Sequence, residues 1–462
     1  MNQRKSSPVR RHERGVATLV VVMVLFFIIS MVAAYTSRNL IFEQRTAANQ
    51  YRSTQALEAA EAGLEWAKAM LNHGRITPTP ASSSQPQACL ASTNAADSSF
   101  RQRYLQPVLV GGVFGGQYTT RGYGSTGFKP QPSCVFNGSG WNCDCPETTA
   151  AAISTSGSEI RPAFRVRFNP GYLSALPNGM IRIEAIGCTR LDGSCLDFNA
   201  MGLINEGRTI VTQLVALTGG LPSPPVAALT AGGTVALPSA VLRNGDTASG
   251  GWTVQSRGAA TIPDTQLFTL PGTPGAMSKA ENDTSLPNTG DRMFTTVFNM
   301  FPDTYRDQPA VVRLDNSVSG CSAAGCTATA LANAATFNPG RVIWVEGDLD
   351  IDSGTPIGSA SDPVLIVVNN GNLVFSGGTP GTINGLVYVR RATWTTAGTG
   401  SVQGAVVAQG NVGGNGALTV NYDPEVLRTL RLSAGSFVAV PGGWKDFCST
   451  PTGAMAGTGI QC

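Results

Sequence analysis

The 462-residue chain is too long for one ordinary domain and long enough for two or three, each with its own core. Its 54 Gly and 28 Pro fall short of a low-complexity composition, and only 13% of its residues are charged, a balance that suits a β-rich exported surface. Net charge is +3, yet Arg4, Lys5, Arg10, Arg11 and Arg14 against Glu13 place +4 of it before the sixteenth residue. The near-neutral remainder holds no basic block and argues against nucleic-acid binding.

From Val16 to Tyr35 runs VATLVVVMVLFFIISMVAAY, free of charge. As a helix it is about 30 Å long, the thickness of a bilayer's hydrocarbon core. The basic residues before it stay cytoplasmic by the positive-inside rule, so the chain after Tyr35 is expected to cross the membrane. No A-x-A-like cleavage site follows, and the run continues into SRNLIFEQR, against an ordinary secretory signal. Further on, Leu57, Ala60, Leu64, Ala67 and Leu71 recur at three and four residues and make one apolar stripe, with Lys68 in the last turn and Gly74 after it. One helix from Val16 to about Asn72 is expected.

The junction ERGVATLVVV, the stretch EQRTAAN (Glu43 to Asn49) and QALEAAEAGL (Gln55 to Leu64) together resemble the N-terminal segment of PilX-type minor pilins of type IV pili. The resemblance implies a prepilin: residues 1–15 are a leader cut behind Gly15 by prepilin peptidase, and Val16 becomes the N-methylated terminus. It implies a single-pass protein of the inner membrane that later joins a surface pilus through helix contacts with other major and minor pilins. In major pilins the fifth mature residue is usually a glutamate that pairs with a neighbouring subunit's ammonium; here it is Val20. An unpaired ammonium inside an apolar bundle costs on the order of several kcal/mol, so a subunit without the carboxylate fits the filament tip better than the shaft. The same absence marks the K-type minor pseudopilin of type II secretion. A third reading is a permanently anchored envelope protein that binds a polysaccharide or a partner.

Beyond the helix (residues 16–73), TPTPASSSQPQ makes 74–87 a linker. The alternating runs QYTTRGYG, AFRVRFNP, GMIRIEAIG and RTIVTQLVAL predict strands, and IRIEAIGCTR to RTIVTQLVAL looks like the antiparallel sheet of a pilin head closing on the long helix. That head is placed at 88–219. GGLPSPP starts a second body at 220–462, where VIWVEGDLDI, VLIVVNNGNLVF, GLVYVRRATW and GAVVAQGNV recur. With Gly347, Gly371, Arg391 and Gly410 aligned, the spacings are 24, 20 and 19, which predicts a β-solenoid, an ordinary sandwich being the rival. PVAALTAGGTVAL and GGWTVQSRG read as its first turns, and 293–307 as an inserted helical segment. The fold class expected is therefore α+β, a long helix with a β head followed by a mostly β domain.

Ten cysteines in close sets read as local disulfides of an oxidising compartment. The pairings expected are Cys188 with Cys195, Cys321 with Cys326, and Cys448 with Cys462, while Cys89, Cys134, Cys143 and Cys145 stay open. Asp348, Asp350 and Asp352 alternate like the front of a calcium loop, but Ser353 stands where an EF-hand wants Gly and Ser359 where it wants Glu; Leu349 and Ile351 between them read as a strand with one wet face. Trp252, Trp344 and Trp394 are candidate anchors for a surface ligand or tip adhesin, though such residues are more often core or corner packing. His73 is the only histidine after the leader, GGVFGG reads as a strand turn, and there is no G-x-S-x-G or P-loop motif. Neither catalysis nor a cofactor is expected.

Overall fold

The computed structural model describes residues 15–77, 89–111, 113–124, 127, 129–147, 161–168, 177, 179–191, 194–198, 207–287 and 290–446. It is an α+β chain: one long N-terminal helix followed by mostly β structure. Six helices occur among these residues: α1 (Gly15–Leu71), α2 (Phe100–Tyr104), α3 (Gly290–Phe298), α4 (Pro302–Arg306), α5 (Ala328–Phe337) and α6 (Pro424–Ser433).

Helix α1 runs unbroken for 57 residues, about 85 Å, because no proline and only Gly63 interrupt its interior. Thr36 and Ser37 return their hydroxyls to the carbonyls of Val32 and Ala34, 2.9 and 3.0 Å away, so neither side chain needs an outside partner. At the C-terminal end Asn72 Nδ2 donates to the Lys68 carbonyl at 3.1 Å, and the Arg101 guanidinium donates to that of Leu71, satisfying carbonyls that the helix itself leaves open.

The last four turns of α1 lie across a six-stranded antiparallel sheet, ordered 435–445, 208–219, 180–188, 163–168, 133–136 and 141–144. Ala60, Leu64, Ala67 and Leu71 join Phe164, Val166, Ile183, Val211, Val215 and Phe437 in one core. The strand Gly435–Lys445 pairs antiparallel with Arg208–Gly219, from Gly435 opposite Gly219 to Ala439 opposite Val215. The chain from residue 220 to residue 434 is therefore an insertion between two neighbouring strands of one sheet. The division expected at 88–219 and 220–462 cuts through this sheet, because the local pattern of GSFVAV does not say which sheet it will join. The expected run QYTTRGYG contributes instead to a separate hairpin, Leu105–Val110 with Val113–Thr120. Of the expected linker, Arg75 and Ile76 bridge Ser99 and Ala91, Thr77 exchanges backbone hydrogen bonds with Cys89 and Leu90, and 78–87 lie outside the described residues.

Within the insertion the strands pair in parallel. Val342 sits beside Leu365, Leu365 beside Leu386, and Leu386 beside Ala405, at steps of 23, 21 and 19 residues. Their inward side chains, Ile343, Ile366, Val387 and Val406, form one column with Val345, Val368, Val389 and Ala408. The segments read as first turns do stack on this ladder, but at the opposite end from their place in the chain. Leu229–Ala231 and Val241–Arg243 pair with the last long strands, Thr399–Ala408 and Ala417–Tyr422, and Val254–Ser256 pairs beyond Leu229–Ala231. On the outer side of the ladder, α3, α4 and α6 bury Phe294, Phe298, Tyr305 and Leu427 against Trp344, Leu365 and Tyr388. The helical segment expected at 293–307 is split in two, since Pro302 starts α4 and Asn299 adopts a left-handed φ of 52° just after α3.

Cysteine pairs join Cys89 to Cys145, Cys134 to Cys143 and Cys188 to Cys195 in the head, and Cys321 to Cys326 in the insertion. Cys448 and Cys462 lie outside the described residues.

Candidate functional site

Two surfaces hold the residues singled out by the sequence. The first is α1 itself. From Ala17 to Thr54 every residue is exposed, whereas from Ala56 onward Ala56, Ala59, Ala60, Leu64, Ala67 and Leu71 are buried against the head sheet. The free part, about 57 Å long, carries Leu19 to Val32 with its methyl and phenyl groups turned outward on all sides. Its most apolar window has a mean hydropathy of 2.8 and none of it is buried in the protein, so by length and composition it is able to cross a membrane. Val20 is one of these residues, 53% exposed, with no carboxylate anywhere between it and Glu43. Gly15 is the first residue of the helix, and Val16 follows within it. Nearer the head the exposed face becomes mixed, with Arg38 over the ring of Phe42 at 5.7 Å and Glu43, Arg45 and Arg52 beyond.

The second surface is the joint where α1 ends, the head closes and the insertion leaves. Its centre, Arg101, is buried and comes from α2, a short helix held by a capping box between Ser99 and Gln102. Besides Leu71, its guanidinium donates to the Gly435 carbonyl at 2.6 Å, to Asn72 Oδ1 at 3.1 Å and to the Gly340 carbonyl at 3.2 Å, and it lies over Phe437 at 4.7 Å. Burial, opposed by Tyr118 and assisted by Arg341, holds its pKa down to about 10, so it stays charged at neutral pH. Arg75 N donates to the Phe337 carbonyl at 2.8 Å, tying α1's exit to the end of α5.

His73 stands at this joint. Burial first, then the charge of Arg341, lowers its pKa below the ordinary histidine value, and its Nδ1 has no hydrogen-bond partner. The unfolded chain therefore binds a proton near pH 6.5 that the folded chain takes up only at lower pH. Stability is expected to fall as pH drops through 6.5, and the loss stops growing once the folded-state pKa is passed. Thermal unfolding of the parent and of His73→Gln between pH 7.5 and 5 checks this: the difference between them should grow on acidification.

The aspartates do not converge. Asp348 Oδ1 accepts from Asn372 N at 2.7 Å and faces Arg391 at 3.5 Å; Asp350 accepts from Ser376 Oγ at 2.7 Å; Asp352 accepts from Ala328 N, at the start of α5, at 3.3 Å. Leu349 and Ile351 between them are fully buried. Each carboxylate is occupied by a different neighbour, and among the described residues no group of three or more His, Cys, Asp or Glu is placed to hold a metal. The calcium candidate is thereby withdrawn. Of the three tryptophans, Trp344 and Trp394 are core residues, Trp394 donating to the Leu373 carbonyl at 3.0 Å, and only Trp252 reaches solvent. Sequence reading missed Arg101 and Asn72. The one local signal is the capping-box pattern that sets α2, since their partners lie hundreds of residues away.

Residues 14–65 match the family model described as PilX N-terminal, a stretch that covers the exposed part of α1 and its first buried turns. A crystal structure of the competence-associated pilin ComZ from Thermus thermophilus aligns over 85% of this chain and 97% of its own, at 11% identity and a TM-score of 0.19, too low to argue from. No curated protein matches the chain.

Proposed function

We propose that this chain, whose N-terminal segment is of the PilX type found in type IV minor pilins, is itself a minor pilin assembled at or near the pilus tip. Prepilin peptidase cuts behind Gly15, Val16 becomes the methylated terminus, and residues 16–35 hold the subunit in the inner membrane until it enters the filament. There it primes assembly and presents its insertion outward for adhesion. The observation that carries this reading is the division of α1: one end is buried in the subunit's own head, and the other, from Ala17 to Thr54, is apolar for much of its length and exposed throughout. Such a surface needs lipid or sister helices.

In this reading the head comprises residues 88–219 together with the strand Gly435–Lys445, and residues 220–434 form a β-solenoid. Parallel pairing at a nearly constant step supports the solenoid. Sheared filaments, purified and analysed by mass spectrometry with N-terminal sequencing, test the whole proposal. The chain should appear there beginning at Val16; a chain that keeps Met1 and stays in the inner membrane would make it a permanent anchor.

Val20 bears on position. A glutamate there should let the subunit neutralise a neighbour's terminal ammonium, so Val20→Glu is expected to move immunogold labelling from the tip to points along the shaft. Unchanged tip-restricted labelling would show that the missing carboxylate does not set position. The same residue favours, as a second reading, the K-type minor pseudopilin of type II secretion. Loss of secreted enzymes rather than of pili on deletion distinguishes the two.

A further inference from the structure

The parallel stack has a second outward row, distinct from the one with the aspartates. Register places Asn384, Gln403, Asn421, Arg243 and Phe268 side by side, one from each successive strand, with Thr382, Ser401 and Thr419 in the row beside them. The residues between, Ile383, Val402, Val420, Leu242 and Leu267, point inward and are buried, so the named side chains stand on the outer face at intervals of about 4.8 Å, Arg243 and Phe268 exposed and the others half-buried.

The two outward rows differ in how their polar groups are used. On the aspartate side the side chains satisfy one another: Asp348 accepts from Asn372, Asn372 Oδ1 accepts from Thr395 N, and Asn411 Oδ1 accepts from Thr234. In the second row Asn384 Nδ2 donates to the Gly358 carbonyl and the Thr382 and Ser401 hydroxyls bond to each other. Beyond these, the side chain of Gln403 has no hydrogen bond within the protein, while Asn421 Oδ1 is buried and without a donor, so Gln403 and Arg243 are the groups left to a ligand. Arg243 is exposed, forms no ion pair, and lies over the ring of Phe268 at 4.1 Å.

We propose that this row binds an extended acidic polysaccharide, a β-1,4-linked chain of uronic acids laid along the stack. Three features of the row choose that occupant. Its amides and guanidinium repeat at nearly the interval at which an extended β-linked pyranose chain presents successive rings. Amide and hydroxyl groups match sugar hydroxyls as both donors and acceptors. The only formal charge in the row is an unpaired guanidinium, set on an aromatic ring, which suits a carboxylate and the apolar face of a sugar. The binding concerns the insertion alone and holds whether or not the chain enters a filament.

Calorimetric titration of the full-length protein in detergent micelles with a β-1,4-linked oligomannuronate tests this. Saturable binding is expected, weakened by about tenfold in Arg243→Ala and in Gln403→Ala, as for the loss of one charge-assisted or exposed hydrogen bond at each site, and unchanged in Thr395→Ala on the other row. The side chains are at the surface, and unchanged thermal unfolding of each variant shows that the fold is intact. No saturable binding, binding that survives both substitutions, or equal binding of a neutral β-1,4-glucan oligomer would each overturn the proposal.

Discussion

Replacement of Gly187 by valine is expected to detach the N-terminal helix from the head, lowering head stability by about 3 kcal/mol or more. A Cβ on Gly187 would lie 2.1 Å from the Ala56 carbonyl oxygen, 2.4 Å from Ala60 N and 2.9 Å from Ala60 Cα. All three are helix backbone, which cannot rotate away as a side chain would. The helix approaches this closely because Ala56, Ala59, Ala60 and Gly63 make its inner face small; a Cβ on Gly63 would in turn meet the ring of Phe164 at 3.0 Å. Urea unfolding followed by the fluorescence of Trp66 and Trp141, both packed at this interface, measures the loss. Gly138→Ala, at a glycine with φ of 101° and open space around it, serves as a control that adds only the strain of a left-handed backbone, with no clash, and should cost about 1 kcal/mol. A Gly187→Val protein as stable as that control would mean that the helix docks through other contacts.

The consequence reaches function through geometry. A pilin-type subunit is positioned by its helix, so a head that swings on a loose tether cannot present the insertion at a fixed place. Gly187→Val should therefore impair assembly even though it touches neither Gly15 nor the membrane segment.

How much of this was legible depends on the distance over which each signal acts. The apolar run from Val16 to Tyr35 and the stripe Leu57, Ala60, Leu64, Ala67, Leu71 are local patterns, and α1 follows them to within a residue at its end. Alternation likewise marked Ala163–Phe168, Met180–Cys188 and Arg208–Gly219. Pairing partners were not written locally. Nothing in GSFVAV says that Phe437 will lie opposite Leu217 across an insertion, and nothing in LTA at Leu229–Ala231 says that it will follow Val406–Ala408 in the stack. For the aspartates, alternation was read correctly as a strand, but the neighbours that occupy the carboxylates lie 24 to 26 residues away, after Asp348 and Asp350 and before Asp352. Trp344 and Trp394 stayed open between core and anchor because a large ring looks the same in sequence whether it faces the core or a ligand.

Arg101→Met is expected to destabilise the joint by roughly 3–5 kcal/mol, because it removes the donor of the buried Leu71 carbonyl and one of the two donors that the Gly340 carbonyl and Asn72 Oδ1 each have. The guanidinium makes no salt bridge; its charge is balanced by the carbonyl dipoles of Leu71, Gly340 and Gly435, by Asn72 Oδ1 and by the face of Phe437. Methionine fills much of the volume but leaves the Leu71 carbonyl without a partner and the Gly340 carbonyl and Asn72 Oδ1 with one donor each. Arg101→Lys should recover part of the loss at most, since one ammonium cannot reach acceptors spread over a planar fork. Asn72 is the second half of the same device. Its Nδ2 donates to the Phe437 carbonyl and its Oδ1 accepts from Phe437 N, each at 2.8 Å, so the side chain pairs with the closing strand as a neighbouring backbone would. Asn72→Ala and Arg101→Met should accordingly be non-additive by about 1–2 kcal/mol in a double-mutant cycle measured by urea unfolding. Additive losses would mean that helix end and closing strand are held separately. A shared loss would mean that the strand returning after the insertion is locked by the end of the same helix that carries the exposed apolar segment, so that the insertion cannot shift without disturbing that helix.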